Sequence, residues 1–117
     1  MTPRMLGASL FVLVALVLPV VARAADPSQV IEQRCAKCHG KSGHGDGQGL
    51  KDLDAGVAPV DWTDKTAMAK WSDGDLAKII EQGGKALGKS KVMPAYHGKL
   101  SPEEIAQLVA YIRSLAK

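Results

Sequence analysis

The two cysteines of this 117-residue chain lie three positions apart, and a histidine follows the second one directly. On a helix, residues three positions apart face the same side, so Cys35 and Cys38 can present both sulfur atoms to one flat group. His39 then lies beside that group with its imidazole available as a metal ligand. The spacing C-x-x-C-H is the attachment signature of c-type haem, and it predicts two thioether links and an axial histidine.

The same two cysteines allow three other interpretations. A structural disulfide between them is conceivable in an oxidising compartment. A thioredoxin-like redox pair usually accompanies a βαβ pattern, and a zinc site needs a second pair of ligands. The chain has only two cysteines and no strand-like alternation of useful length. Haem attachment is therefore favoured over these alternatives.

The first 24 residues have the three-part pattern of a secretory signal peptide. Arg4 precedes a nearly unbroken apolar run from Leu10 to Ala22, and Ala22-Arg23-Ala24 is a small-x-small cleavage site. The run is shorter than the roughly 20 residues of a membrane-spanning helix, although an uncleaved anchor is the alternative. We therefore expect residues 1–24 to be a signal peptide. Residues 25–117 are then one mature periplasmic domain without a membrane span.

Composition limits what such a domain can be. Aromatic residues make up 4% of the chain, and its single phenylalanine, Phe11, lies in the apolar run. A small domain with so few large side chains often depends on a bound group for stability. Without Arg4 and Arg23, the 15 basic residues of the chain become 13, against 12 acidic ones. Nucleic-acid-binding proteins have a strong basic excess, so we expect no nucleic-acid partner.

Helix signals predict an all-α domain with three or four short helices. The first helix is predicted to begin at Asp26-Pro27, with aspartate as cap and proline at the first position, and to stop at Gly40. A loop with six glycines continues from there to Val60, because that many glycines disfavour a stable helix. A short helical turn is predicted near Thr66 to Trp71.

Two further helices follow that turn. Ser72 is predicted to cap the next one, and Gly83-Gly84 ends it. The last helix has the clearest signals, since Ser101-Pro102-Glu103-Glu104 combines a capping box with proline at the first position. Apolar residues then recur at spacings of three and four up to Leu115.

The second axial ligand has four candidates in the mature chain: His44, Met68, Met93 and His97. Met93 precedes a proline in a loop ahead of the last helix, and such a loop can lay a thioether against the far face of the ring. Met68 lies at helical spacing, which is more typical of a core position. His44 lies five residues from His39, and His97 is close enough to Met93 to compete with it. We favour His39 and Met93 as the ligands of the iron, a pair that raises the haem potential.

Three residues are predicted to contact the haem or its ligand. A ligating histidine usually donates its second ring N–H to an acceptor, and the Pro59 carbonyl is the candidate for His39. Pro59 alternatively only rigidifies its loop. The indoles of Trp62 and Trp71 can donate to haem propionates, or can simply pack against the ring edge. Eight apolar residues are expected to line the cavity: Leu50, Leu53, Val57, Ile79, Leu87, Val92, Leu108 and Ile112.

The chain resembles the class I monohaem cytochromes c of bacteria over most of its mature sequence. The resemblance rests on six segments: Cys35 to Gly40, Gly43 to Gly47, Ile80 to Gly84, Met93 to Tyr96, Leu100 to Ile105, and Tyr111 to Arg113. It implies the cytochrome c fold, in which short helices wrap around one covalently attached haem and the first and last helices cross near a right angle. It also implies His39 and Met93 as the two axial ligands. Pro27 and Ile31 depart from the family, which often has a small residue and an aromatic at the corresponding places.

These features predict an electron carrier rather than an enzyme. With both axial positions filled by protein, no position is left for oxygen or substrate. We expect a monomeric periplasmic protein that carries single electrons between redox partner proteins such as an oxidase, a reductase or a dehydrogenase. The alternatives are a dedicated cytochrome subunit of a periplasmic dehydrogenase or oxidase complex, and a haem sensor or peroxidase-like protein.

Overall fold

The computed structural model describes residues 1–3, 12–21 and 23–117. Within the predicted signal peptide, Arg4, Phe11 and Ala22 lie outside the described residues. Residues 12–21 are exposed and have no helical structure. In the described part of the chain, no helix has both the length and the apolar character needed to cross a membrane. The signal peptide and the domain boundary after residue 24 stay predictions.

Regular structure in the described residues is helical, as predicted. In chain order the elements are α1 (Pro27–Val30), a π-helical segment (Ile31–Cys35), α2 (Ala36–His39), a 3₁₀ helix (Gln48–Leu50), α3 (Lys65–Met68), α4 (Asp73–Gln82), a second 3₁₀ helix (Gly84–Leu87) and α5 (Pro102–Ser114). The structure places an isolated bridge between His97 and Leu100 but describes no strand.

The predicted first helix is confirmed, but its middle is wound differently from an α-helix. The Asp26 side chain accepts a hydrogen bond from the Ser28 backbone N–H at 2.9 Å, and the helical run ends at Gly40. The π-helical segment lies in between and contains Cys35, whereas Cys38 lies in α2. Single π-helical turns often occur at functional sites. Here the turn lies directly before the second cysteine and the histidine, and no sequence signal predicted it.

The capping predictions for the two longer helices are also confirmed. The Ser72 hydroxyl accepts from the Asp75 backbone N–H at 3.0 Å, and α4 ends at Gly83, whose φ of 84° favours glycine. At the start of α5, the Ser101 hydroxyl accepts from the Glu104 N–H at 3.1 Å. The Glu104 carboxylate accepts in return from the Ser101 N–H at 2.7 Å. Local sequence therefore determines where these helices begin and end.

Helix α5 organises the core, because it packs against both α1 and α4. Its Leu108 and Ile112 are 1% and 3% exposed, and Ile31 from the first helical run is 2% exposed. The departures at Pro27 and Ile31 therefore still allow the first and last helices to meet. The near-perpendicular crossing of these helices stays a prediction.

Arg113 of α5 ties together the segment before α4. Its Nε donates to Asp73 at 2.7 Å, and one terminal nitrogen donates to the Met68 carbonyl at 2.7 Å. The other terminal nitrogen donates to the Trp71 carbonyl. Since Met68 ends α3 and Asp73 begins α4, one guanidinium fixes both helices against α5.

Candidate haem site

A cavity of about 260 Å³ lies where the first helical run, the segment 55–62 and the loop before α5 meet. Cys35, Cys38 and His39 form one part of its wall, and Met93 forms another. The remaining wall is mainly apolar and includes Pro59, Val60, Leu76, Ile79 and Ile80. Residues that are far apart in sequence thus converge on one space.

Five of the eight predicted lining residues are at this cavity: Leu50, Val57, Ile79, Val92 and Ile112. The other three predictions are wrong. Leu108 lies deeper, at 1% exposure in the helical core, and Leu87 packs against that core. Leu53 is 51% exposed and is absent from the cavity wall.

The structure shows both cysteines as free thiols at the cavity. Both are partly buried free thiols that line the cavity, so the structure holds no disulfide between Cys35 and Cys38. Burial raises the pKa of the Cys35 thiol to about 11, so it is protonated at neutral pH. No group of three or more His, Cys, Asp or Glu residues in the described ranges could hold a metal ion such as zinc.

His39 presents a neutral imidazole to the cavity. Burial lowers its pKa to about 4, so a nitrogen lone pair is available at neutral pH. Nδ1 is the buried ring nitrogen, which leaves Nε2 as the one that can face the cavity. Among the residues that the structure describes, Nδ1 has no hydrogen-bond partner.

The predicted hydrogen bond from His39 to the Pro59 carbonyl is therefore not formed in the structure. Pro59 lines the cavity, but its carbonyl oxygen is directed toward the glycine loop, where a Cβ built on Gly45 would lie 2.8 Å from it. The alternative, that Pro59 only rigidifies its loop, stays a prediction.

Trp62 packs face to face on His39. The two ring centroids are 4.5 Å apart and the ring planes differ by 18°. Trp62 is 5% exposed and lines the cavity, and its contact with a propionate or with the ring edge of the haem stays a prediction. Trp71 also lines the cavity, with the Lys89 ammonium 5.6 Å from its ring centroid. No sequence signal pairs Trp62 with His39, because a long loop separates them.

The glycine loop packs directly on the cysteine-histidine motif. The Gly45 N–H donates to the His39 carbonyl at 2.8 Å, and the Gly47 N–H donates to the Cys38 carbonyl at 3.1 Å. A Cβ on Gly47 would overlap the backbone of Lys37 and Cys38. The loop glycines are thus required by close backbone approach, a role that sequence reasoning missed.

Of the four candidates for the second axial ligand, only Met93 lines the cavity. Met68 is 1% exposed in the core, as its helical spacing indicated. The His44 side chain is 52% exposed, with Nδ1 3.3 Å from Asp61. The His97 side chain is 82% exposed, with Nδ1 3.5 Å from Glu81.

The loop that carries Met93 is held at both ends by hydrogen bonds. The Met93 N–H donates to the Ser90 hydroxyl and its carbonyl accepts from the Gly84 N–H, each at 3.1 Å. Further along, the Tyr96 hydroxyl donates to the Arg34 carbonyl at 3.0 Å. That last bond joins the Met93 loop to the helical run that carries the cysteines.

These residues fit a covalently attached haem. Two free sulfur atoms, a neutral imidazole and a thioether lie on the wall of one largely apolar cavity. The buried Nδ1 leaves the other imidazole nitrogen for the iron. Histidine and methionine are the axial ligands typical of cytochromes c.

Comparison with known proteins agrees with this geometry. The FixP subunit of cbb3-type cytochrome c oxidase from Bradyrhizobium diazoefficiens is 28% identical over 92 residues, which are 79% of this chain and 27% of FixP. The chain thus spans about a quarter of that relative's length.

Two solved structures have a similar fold. The c-type cytochrome KustC0563 is 28% identical, with a TM-score of 0.61 over 80% of this chain and 100% of the other. A chain of the reducing HAO-like protein complex Kustc0457/Kustc0458 of Kuenenia stuttgartiensis is 25% identical. Its TM-score is 0.60, over 89% of this chain and 50% of the other.

The family described as cytochrome c oxidase, cbb3-type, subunit III matches residues 22–112. The fold is the expected cytochrome c fold, and the resemblance to monohaem cytochromes c is confirmed. The chain therefore belongs to this family, and it is a c-type cytochrome that carries covalently bound haem c.

Proposed function

We propose that the chain is a periplasmic electron-transfer protein with one haem c, bound through Cys35 and Cys38 and ligated by His39 and Met93. The observation that carries this proposal is the convergence of those four residues on one cavity, from which the other candidate ligands are excluded. When bound, the haem supplies one-electron chemistry at its iron. The chain supplies attachment, two ligands and a largely apolar enclosure.

Each residue has a defined task in this proposal. The cysteine sulfurs fix the group to the chain so that it cannot dissociate. His39 stays neutral at working pH because burial lowers its pKa to about 4. The Met93 thioether is a weak donor that favours the reduced state and so raises the potential. The apolar wall excludes water from the ligands.

The same arrangement argues for a carrier that is not an enzyme in its own right. If His39 and Met93 fill both axial positions, no position is left for a substrate. We propose that the protein exchanges electrons with redox partner proteins as a monomer. Export in this proposal depends on residues 1–24 acting as a signal peptide that is cleaved after Ala24.

A second candidate is a dedicated cytochrome subunit of an oxidase or dehydrogenase complex. FixP is named as a subunit of an oxidase, and the second structural neighbour belongs to a protein complex. Gel filtration of a periplasmic extract with haem staining separates the two. A free monomer supports the carrier, whereas haem stain only at high mass supports the subunit.

Replacing Met93 tests the ligand assignment. In holoprotein made with haem-attachment machinery, Met93→Ala should abolish the weak sulfur-to-iron absorption near the red end of the spectrum. It should also lower the midpoint potential, because the ligand that favours the reduced state is gone. The two exposed histidines that were also candidate ligands provide matched controls. His44→Ala and His97→Ala should keep the sulfur-to-iron absorption and the midpoint potential of the parent.

An unchanged spectrum in Met93→Ala would show that another residue ligates. Carbon monoxide should bind the reduced variant but not the reduced parent. Binding to the parent would instead support the sensor or peroxidase-like alternative. A colourless mature chain with the mass of the bare polypeptide would overturn the whole proposal.

A further inference from the structure

We propose that Ser90 is a positioning residue: its hydroxyl fixes the main chain at Met93 and so keeps the thioether on the iron in the oxidised state. This inference rests on the proposed role of Met93 as an axial ligand. It concerns which group of the chain holds that ligand in place, a question that the assignment of Met93 leaves open.

Ser90 is itself held in place, because both of its neighbours in the chain are anchored to other segments. The Lys89 N–H donates to the Gly84 carbonyl at 2.9 Å, and the Lys91 N–H donates to the Ala55 carbonyl at 2.8 Å. A Cβ built on Gly84 would overlap the Ser90 carbonyl oxygen and lie 3.0 Å from the Ser90 Cβ, so the two backbones pack directly on each other. The Ser90 hydroxyl is therefore attached to a fixed point of the fold.

The hydroxyl controls the direction in which the Met93 side chain leaves the backbone. Ser90 Oγ accepts from the Val92 N–H and from the Met93 N–H, both at 3.1 Å, which uses both acceptor lone pairs of a hydroxyl. On the other side of the Met93 Cα, the Met93 carbonyl accepts from the Gly84 N–H at 3.1 Å. Because the N–H and the carbonyl of Met93 are both held, the direction of its Cα–Cβ bond is fixed as well. Met93 is thereby directed to the cavity wall that it lines.

The identity of residue 90 matters more than that of its neighbours. The bonds made by Gly84, Lys89 and Lys91 are backbone bonds, which nearly every residue type can form. The two bonds to Ser90 need a side-chain oxygen close to the backbone, which alanine or leucine cannot supply. A substitution at position 90 therefore tests the hydroxyl while the rest of the loop keeps its hydrogen bonds.

This arrangement determines how easily the ligand is displaced. The thioether is a weak donor to oxidised iron, so an added base such as imidazole can bind while Met93 is away. A side chain held in this direction leaves when the segment around Met93 turns, and that movement breaks the bonds to Ser90. The apparent affinity for imidazole depends on the fraction of molecules in which Met93 has left. Loss of both hydroxyl bonds in Ser90→Ala should raise that affinity roughly 5- to 30-fold.

Ser101 provides a matched control, because its hydroxyl has the same chemistry at another place in the fold. It accepts from the Glu104 N–H at 3.1 Å at the start of α5, and Ser101 is absent from the cavity wall. Ser101→Ala should therefore lower the free energy of unfolding without changing the affinity for imidazole. Ser90→Thr keeps a hydroxyl at position 90 and should stay close to the parent.

The test compares oxidised holoprotein of the parent, Ser90→Ala, Ser90→Thr and Ser101→Ala. Titration with imidazole, followed by the loss of the sulfur-to-iron absorption, gives the apparent affinity of each protein. Denaturant unfolding of the same proteins gives their global stability. We expect Ser90→Ala to bind imidazole roughly 5- to 30-fold more tightly than the parent. Ser90→Thr and Ser101→Ala should keep the parental affinity, although Ser101→Ala loses stability.

Two results would overturn the inference. One is a Ser90→Ala protein with the imidazole affinity of the parent, and the other is an equal rise in affinity in Ser101→Ala or Ser90→Thr. If Ser90→Ala does not mature, hydrogen exchange of the oxidised parent decides. The Val92 and Met93 amides should be protected and should exchange faster once imidazole has displaced Met93, whereas amides that exchange freely from the start refute the proposal. A parent without the sulfur-to-iron absorption would instead signal failure of the proposed function.

Discussion

Replacing Gly47 by alanine should destabilise the protein through a purely steric conflict. Gly47 has φ −63° and ψ 133°, which alanine adopts without strain. The conflict comes from the new Cβ, which would lie 2.5 Å from the Cys38 carbonyl oxygen and overlap the Lys37 carbonyl as well. These are backbone atoms of α2, so no side-chain rotation relieves the overlap. The loop must move away from the cysteine-histidine motif.

The size of the effect follows from that displacement. Overpacking costs about 1–3 kcal/mol. Loss of the Gly47 hydrogen bond to the Cys38 carbonyl, 3.1 Å long in the parent, adds about 1 kcal/mol. The lower entropy of the unfolded alanine chain offsets roughly 0.4–1 kcal/mol. The free energy of unfolding should therefore fall by about 1–3.5 kcal/mol.

Denaturant unfolding of the holoprotein, followed by circular dichroism, measures this change. Gly74→Ala is the matched control, because Gly74 lies in α4 and a Cβ there would meet only the Ser72 hydroxyl, at 3.7 Å. That variant should be more stable by about 0.5–1 kcal/mol, as expected for glycine replaced within a helix. If Gly47→Ala is as stable as the parent, or gains stability as Gly74→Ala does, the reasoning about the loop is wrong.

Two other substitutions probe the contacts that surround the cavity. Tyr96→Phe removes the hydroxyl that donates to the Arg34 carbonyl, a bond worth about 1 kcal/mol, so the sulfur-to-iron absorption should disappear at a lower temperature than in the parent. Tyr111→Phe changes no hydrogen bond to a described residue, so in this control the absorption should persist to the same temperature as in the parent. If the absorption of both variants disappears at the same temperature, Tyr96 does not stabilise the Met93 loop. Arg113→Lys keeps the charge but cannot reach all three acceptors, so unfolding should become easier by roughly 1–2 kcal/mol. Lys41→Gln is the control: it breaks an ion pair with Glu32 in which the two side chains are 79% and 62% exposed, so the free energy of unfolding should fall by less than about 0.5 kcal/mol. An equal loss of stability in Arg113→Lys and Lys41→Gln would argue against a structural role for Arg113.

The haem-attachment motif and the helix caps could be predicted from the sequence because they depend on residues close together in the chain. The C-x-x-C-H spacing carries its own geometry, because five consecutive residues on a helix place two sulfurs and an imidazole together. The caps at Asp26, Ser72 and Ser101 act within three residues of themselves, and the structure forms all three. The cytochrome c fold, the haem and the family followed from features of this kind together with the resemblance.

Longer-range packing decided the rest. Met93 and His97 lie in the same loop and were both candidates for the second axial ligand. Only the folded structure shows that Met93 lines the cavity while His97 is exposed. Trp62 was expected beside a propionate or packed against the ring edge, and its contacts with Gly43 and His39 are ones that no local pattern indicated. The π-helical turn at Ile31–Cys35 likewise had no signal in the sequence. The sequence by itself determined the family and the haem c cofactor and predicted the residues that hold it, whereas only the tertiary structure decided which of those residues meet at one cavity, because contacts between distant segments are not encoded in any local pattern.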